Sequence, residues 1–128
     1  MKKKRILIIE DGEELLQVLI ARIASAGYDA IGARDGHEGL AILKQQKPDL
    51  VVLDLVLPGV SGEDILHAIK GDEELSAMPV IVLTAQLITP RMEERLKRYA
   101  GIELISKPYE PAALIKCLER GLSPSGAR

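Results

Sequence analysis

The chain has no tryptophan and no phenylalanine, and its aromatic rings are limited to Tyr28, Tyr99 and Tyr109 beside two histidines. A core formed without large rings must be aliphatic, drawn from Leu, Ile, Val and Ala. The exposed stacking platforms that single-stranded nucleic acids require are missing as well. One cysteine, Cys117, excludes an intramolecular disulfide and suits a reducing compartment. It lies on an apolar helical stripe and reads as a packed thiol. No apolar run reaches the roughly 18 residues of a membrane span. The basic start, Met1-Lys2-Lys3-Lys4-Arg5, precedes only Ile6 to Ile9 before Glu10 and Asp11, too short for the apolar stretch of a signal peptide. Lys2 to Lys4 therefore read as a solubilising start, and a cytoplasmic location is expected. A net charge of −2 gives no general attraction to DNA or acidic membranes, so neither is expected as a direct partner.

What is present is ordinary in bulk and informative in order. With 128 residues, 47% of them hydrophobic and 28% charged, the chain has the size and composition of one globular domain. Five short apolar runs recur: Arg5 to Ile9, Asp29 to Ala33, Leu50 to Leu53, Val80 to Leu83 and Ile102 to Ile105. Three contain uninterrupted apolar stretches, as strands buried on both faces must. Between them the apolar residues take helical spacing, with Leu15, Leu19 and Ile23 on one stripe and Ile65 with Ile69 and Leu114 with Leu118 on others. Gly27 and Lys47-Pro48 mark helix ends; Thr89-Pro90 and Pro111 mark helix starts. Strands alternating with helices imply a parallel sheet covered on both faces. One domain over residues 1–122 is expected, with 123–128 as a flexible C-terminal tail or linker stub.

Open α/β sheets bind ligands at the carboxyl ends of their strands. The first run ends in Glu10-Asp11, the third in Asp54, the fourth in Thr84 and the fifth in Ser106-Lys107-Pro108. Arg34-Asp35, after the second, reads as loop polarity. In a 2-1-3-4-5 strand order, Glu10, Asp11 and Asp54 would share one cleft. Clustered carboxylates repel one another and either hold protons or bind a cation. Hard oxygen donors without His or Cys suit Mg²⁺. A lysine on the far side adds positive charge, and together these groups describe a phosphoryl pocket. Asp54 interrupts an apolar run, where a lone carboxylate is costly unless paired or coordinated. It is the candidate phosphoryl acceptor. Thr84 is placed to donate to a phosphoryl oxygen and Lys107 to bridge another. His37 and His67 lack metal spacing and read as surface residues, while Ser61 and Gly62 shape the loop and cap the third helix.

Four motifs, each closing a strand, carry a resemblance: Ile9-Glu10-Asp11, Val52-Leu-Asp54-Leu-Val-Leu-Pro58-Gly-Val-Ser-Gly62, Leu83-Thr84-Ala85 and Lys107-Pro108. The chain resembles the response-regulator receiver domains of two-component signalling from about Arg5 to Leu122. The resemblance implies a flavodoxin-like (βα)₅ three-layer sandwich with a parallel five-stranded sheet in the order 2-1-3-4-5. It implies Asp54 as phosphoacceptor, Thr84 as switch hydroxyl and Lys107 as phosphate-binding cation. Mg²⁺ would be held by Asp11 directly, Glu10 through water, Asp54 and the Val56 backbone carbonyl. The family's Lys-Pro bond is commonly cis, which implies the same at Lys107-Pro108. The implied partners are a sensor histidine kinase or phosphotransfer protein and an unidentified downstream protein, with a phosphorylation-dependent homodimer among the forms to expect. No enzyme of the ordinary kind is implied, only weak self-phosphorylation and autodephosphorylation, with Val56 and Gln86 flanking the water's path. One position departs from the pattern: Leu104 stands where the family usually places Tyr or Phe.

Two other functions compete. Haloacid-dehalogenase-type phosphatases share an Asp nucleophile, Thr or Ser, Lys and Mg²⁺, but need a second Asp where this chain has Val56. A receiver-like interaction module that is never phosphorylated would lack an acidic or Lys position, and none is lacking here. Dinucleotide binding is excluded, since Glu10-Asp11-Gly12-Glu13-Glu14 lacks the required glycines and sets carboxylates where a pyrophosphate would sit.

Overall fold

The computed structural model describes residues 3–55, 57, 60–85, 89–99, 101–107 and 109–123. Strands and helices alternate in chain order: β1 (Arg5–Ile9), α1 (Glu13–Ser25), β2 (Asp29–Ala33), α2 (Gly36–Gln46), β3 (Leu50–Asp54), α3 (Gly62–Lys70), β4 (Val80–Thr84), α4 (Pro90–Lys97), β5 (Ile102–Ser106) and α5 (Pro111–Leu122). All pairings are parallel, in the order β2-β1-β3-β4-β5. The most apolar runs take the middle: every residue of β3 and β4 is buried, while β2 and β5 form half-buried edges.

Alternating side chains along each strand feed two separate cores. Leu7, Ile9, Val51, Leu53, Val80 and Val82 meet α2, α3 and α4 through residues such as Leu43, Ile65, Ile69 and Leu96. Ile6, Ile8, Leu50, Val52, Ile81 and Leu83 meet α1 and α5 through Leu16, Leu19, Ile23, Leu114 and Leu118. Each fully buried Leu or Ile contributes about 1.5–3 kcal/mol of transfer free energy, so this aliphatic filling carries the fold without large rings. Cys117 is one of these buried side chains.

The punctuation acts as its chemistry dictates. Thr89 accepts a hydrogen bond from the Met92 N–H at the start of α4, and Ser61 does the same for Asp64 at α3. Asp35, expected as plain loop polarity, caps α2 by accepting from the Glu38 N–H. The Asp-x-x-Glu spacing that signals a capping box was already in the sequence. After α1 the chain turns through Gly27 at φ +101°, a conformation that side chains resist.

Candidate functional site

Register delivers the polar residues to one edge. Ile9 pairs with Leu53, so Glu10 and Asp54 follow side by side; Asp54 pairs with Leu83, and Thr84 with Ser106. The Lys107 N–H then donates to the Thr84 carbonyl at 2.8 Å, fixing the start of the segment after β5 against the end of β4. Glu10, Asp54 and Thr84 are the buried polar or charged residues among those described, with 4%, 7% and 0% exposure. Polar burial is thus concentrated at the carboxyl ends of the three central strands.

Carboxylate oxygens of Glu10, Asp11 and Asp54 lie within 4.8 Å of one another, with Asp11 exposed at the rim. The Lys107 Nζ donates to Asp54 Oδ2 at 2.8 Å and to Glu10 Oε1 at 3.4 Å. The ammonium sits directly on the carboxylates, and not across the cleft as the sequence alone had it. Three acids attract the nearest cation, and the four-carbon stem of lysine reaches it. Glu10 Oε2 accepts from the Gly12 N–H at 2.9 Å. Burial pushes the Glu10 carboxyl up, with the Gly12 bond pulling the other way and Asp54 adding to the rise. Burial alone would lower the Lys107 ammonium; the hydrogen bond and charge of Asp54, with Glu10, leave it raised.

One ammonium does not balance three carboxylates, and the donor set is all oxygen. This set fits a hard divalent cation such as Mg²⁺ and offers nothing to soft metals. Asp54 itself is fixed from behind. The Gly62 N–H donates to the Leu55 carbonyl, and a Cβ at Gly62 would stand 2.5 Å from the Asp54 carbonyl oxygen. Only glycine lets α3 begin this close to the Asp54 backbone.

Of the residues singled out in the sequence, Glu10, Asp11, Asp54 and Lys107 are brought together, and Thr84 ends the adjacent strand. Val56, Pro108 (with the Lys107-Pro108 bond) and Gln86 lie outside the described residues, as do residues 124–128. Leu104 is half-buried and packs with Val82 on the face that meets α2 to α4. It is a packed strand residue. His67 is exposed, yet its Nδ1 lies 3.0 Å from the Tyr99 hydroxyl, a contact that sequence spacing could not reveal. The bond between Gly12 and Glu10 was likewise missed, because a main-chain donor leaves no trace in residue type.

Residues 6–119 match the family model described as response regulator receiver domain. The chain is 34% identical over 116 residues to the polar-differentiation response regulator DivK of Brucella anthropi, covering 91% of this chain and 94% of DivK. It is 35% identical over 119 residues to the probable transcriptional regulator ycf27 of Porphyridium aerugineum. That match takes in 89% of this chain and 46% of ycf27, so the chain spans about half of that relative's length. The solved structure of the chemotaxis protein CheY4 of Vibrio cholerae superposes with a TM-score of 0.86 at 25% identity, covering 94% of this chain and 99% of CheY4. With the matched fold, the sheet order and the acidic strand-end cluster in place, the chain belongs to the response regulator receiver domains of two-component signalling.

Proposed function

We propose that this chain is a phosphorylation-dependent switch in which Asp54 accepts a phosphoryl group from the phosphohistidine of a sensor histidine kinase or phosphotransfer protein. Receiver domains bind Mg²⁺ at an acidic cluster. Here Glu10, Asp11, Asp54 and the Val56 carbonyl would hold it. The observation that carries the reading is the buried Asp54 carboxylate, grouped with two further carboxylates and 2.8 Å from Lys107.

In the proposed step an Asp54 carboxylate oxygen attacks phosphorus in line, the phosphorus–nitrogen bond to the donor histidine breaks, and an acyl phosphate forms on Asp54. Bound Mg²⁺ supplies charge neutralisation for the phosphoryl oxygens. Lys107 exchanges its bond to Asp54 Oδ2 for one to a phosphoryl oxygen. Thr84, fully buried at the end of β4, offers its hydroxyl to another. Attack by water on phosphorus returns the carboxylate and resets the switch. The receiver occupies residues 1–122, with 123–128 as a tail or linker. Its downstream partner reads the phosphorylated form, and the chain turns over no substrate of its own beyond this phosphoryl group.

Incubation with acetyl phosphate and Mg²⁺ should add the mass of one phosphoryl group. Asp54→Asn should abolish the gain, and EDTA should suppress it. No mass gain would defeat the assignment and favour the reading of an unphosphorylated interaction module; a gain that survives Asp54→Asn would defeat Asp54 as the acceptor.

A further inference from the structure

Gly12 is the N-cap of α1, with φ −76° and ψ 114° and no side-chain cap. That backbone conformation is open to every residue, so the turn does not demand glycine. Ser, Asp or Asn there would cap the helix at least as well. What glycine provides is room and a bare N–H. An ideal Cβ at position 12 would lie 3.2 Å from Glu10 Oε2, the same oxygen that accepts the Gly12 N–H at 2.9 Å. The other oxygen, Oε1, faces Lys107 Nζ at 3.4 Å. Both carboxylate oxygens of the buried Glu10 are thereby tied, one to main chain and one to the site's lysine.

We propose that Gly12 is a positioning residue for the cation site: its N–H, unobstructed by a side chain, holds the Glu10 carboxylate in the orientation in which it joins Asp11 and Asp54 around a divalent cation. A Cβ at position 12 moves that carboxylate by tenths of an ångström and loosens its bond to the main chain. The group then has to be reordered whenever the cation binds, and that ordering is lost from affinity. Groups that orient metal-binding carboxylates commonly matter for affinity on the order of tenfold.

The test is Mg²⁺ titration calorimetry on the full chain, with melting in EDTA measured alongside. Gly12→Ala keeps the N–H and adds the Cβ; Gly12→Ser adds a Cβ together with a good cap. Both should raise the Mg²⁺ dissociation constant by about three- to tenfold. The Ser variant should melt in EDTA no lower than the parent, which separates the effect from helix capping. In a Glu10→Gln background, Gly12→Ala should change the constant by less than about twofold, because the position acts through Glu10. Since this role presupposes the cation-dependent cleft proposed above, the unmodified protein is the deciding control. Failure of the parent to bind Mg²⁺ would overturn that reading itself. A parent that binds, with both Gly12 variants within about twofold of it, would overturn the role of Gly12 alone. Losses that add independently in the Glu10→Gln background would overturn it too.

Discussion

Lys107 joins two requirements that pull against each other. Its ammonium, 2.8 Å from Asp54 Oδ2 and 3.4 Å from Glu10 Oε1, compensates carboxylates that burial would otherwise penalise. Phosphoryl transfer in the proposed mechanism needs the same ammonium to let go of Asp54. Lys107→Met keeps much of the apolar stem and removes the charge. In EDTA it should cost about 1–3 kcal/mol, because the Asp54 and Glu10 carboxylates lose their charged donor. Mg²⁺ should then restore more stability to the variant than it adds to the parent. Urea unfolding with and without Mg²⁺ measures both, and a variant as stable as the parent in EDTA would show that the ion pair contributes nothing. The acids and the lysine were legible in the sequence because each ends an apolar run, and a charge in that place needs a reason. Lysine's actual partner was not, since a flexible four-carbon stem is placed by the surrounding potential and not by residue order.

Among the elements, α3 links the site to the rest of the sheet's α2–α4 face. Gly62 at its start rests on the Asp54 carbonyl, Glu63 pairs with Arg95 of α4, and His67 meets Tyr99 just beyond α4. At its end, the Lys70 Nζ donates to the Ser76 carbonyl at 3.1 Å and the Met78 carbonyl at 2.8 Å, closing the loop that leads into β4. Lys70→Met should therefore cost about 1–3 kcal/mol, by leaving two carbonyls without their donor. Burial holds the Lys70 ammonium below its ordinary value of 10.5. Between that lowered value and 10.5 the unfolded chain binds more protons than the folded one, so this group's contribution rises with pH. The stability gap between parent and Lys70→Met should thus widen as pH climbs toward 10.5. Denaturant midpoints at neutral and alkaline pH check it, and a gap that narrows would contradict the buried-ammonium account. Helix starts were legible here because caps are written in residue type: Ser61, Thr89-Pro90 and Pro111 all stand where expected. The ties between α3 and α4 were not, because contacts 32 residues apart depend on packing. Leu104 packs against the core beside Val82, and α3 physically connects the Asp54 backbone with α4 through Gly62 and the Glu63–Arg95 pair.

At the scale of the whole molecule, five parallel strands permit several orders, and apolar periodicity reports burial and period but not neighbours. The alternation of runs and helices foretold the layers; the order 2-1-3-4-5 came through the resemblance to receiver domains, and the register bears it out. That order is what brings like charges together at one edge of the sheet. Ile9 beside Leu53 forces Glu10 and Asp54 into adjacency, where both pair with Lys107, and oxygens of these two and Asp11 lie within 4.8 Å of one another. A cation that binds the folded cleft and not the unfolded chain must then stabilise the entire domain by mass action, about 1.4 kcal/mol at ten times its dissociation constant. For a domain of this length such a gain should raise the melting temperature by about 4–6 °C. Asp11→Asn should remove most of that rise, because Asp11 is the exposed acid at the rim and its loss leaves the packed core untouched. Melting curves of parent and variant across a Mg²⁺ series, at constant ionic strength, decide the matter. A parent whose melting temperature stays flat at Mg²⁺ concentrations that support labelling by acetyl phosphate would mean that the acids do not act together on a cation, and the edge would need another explanation.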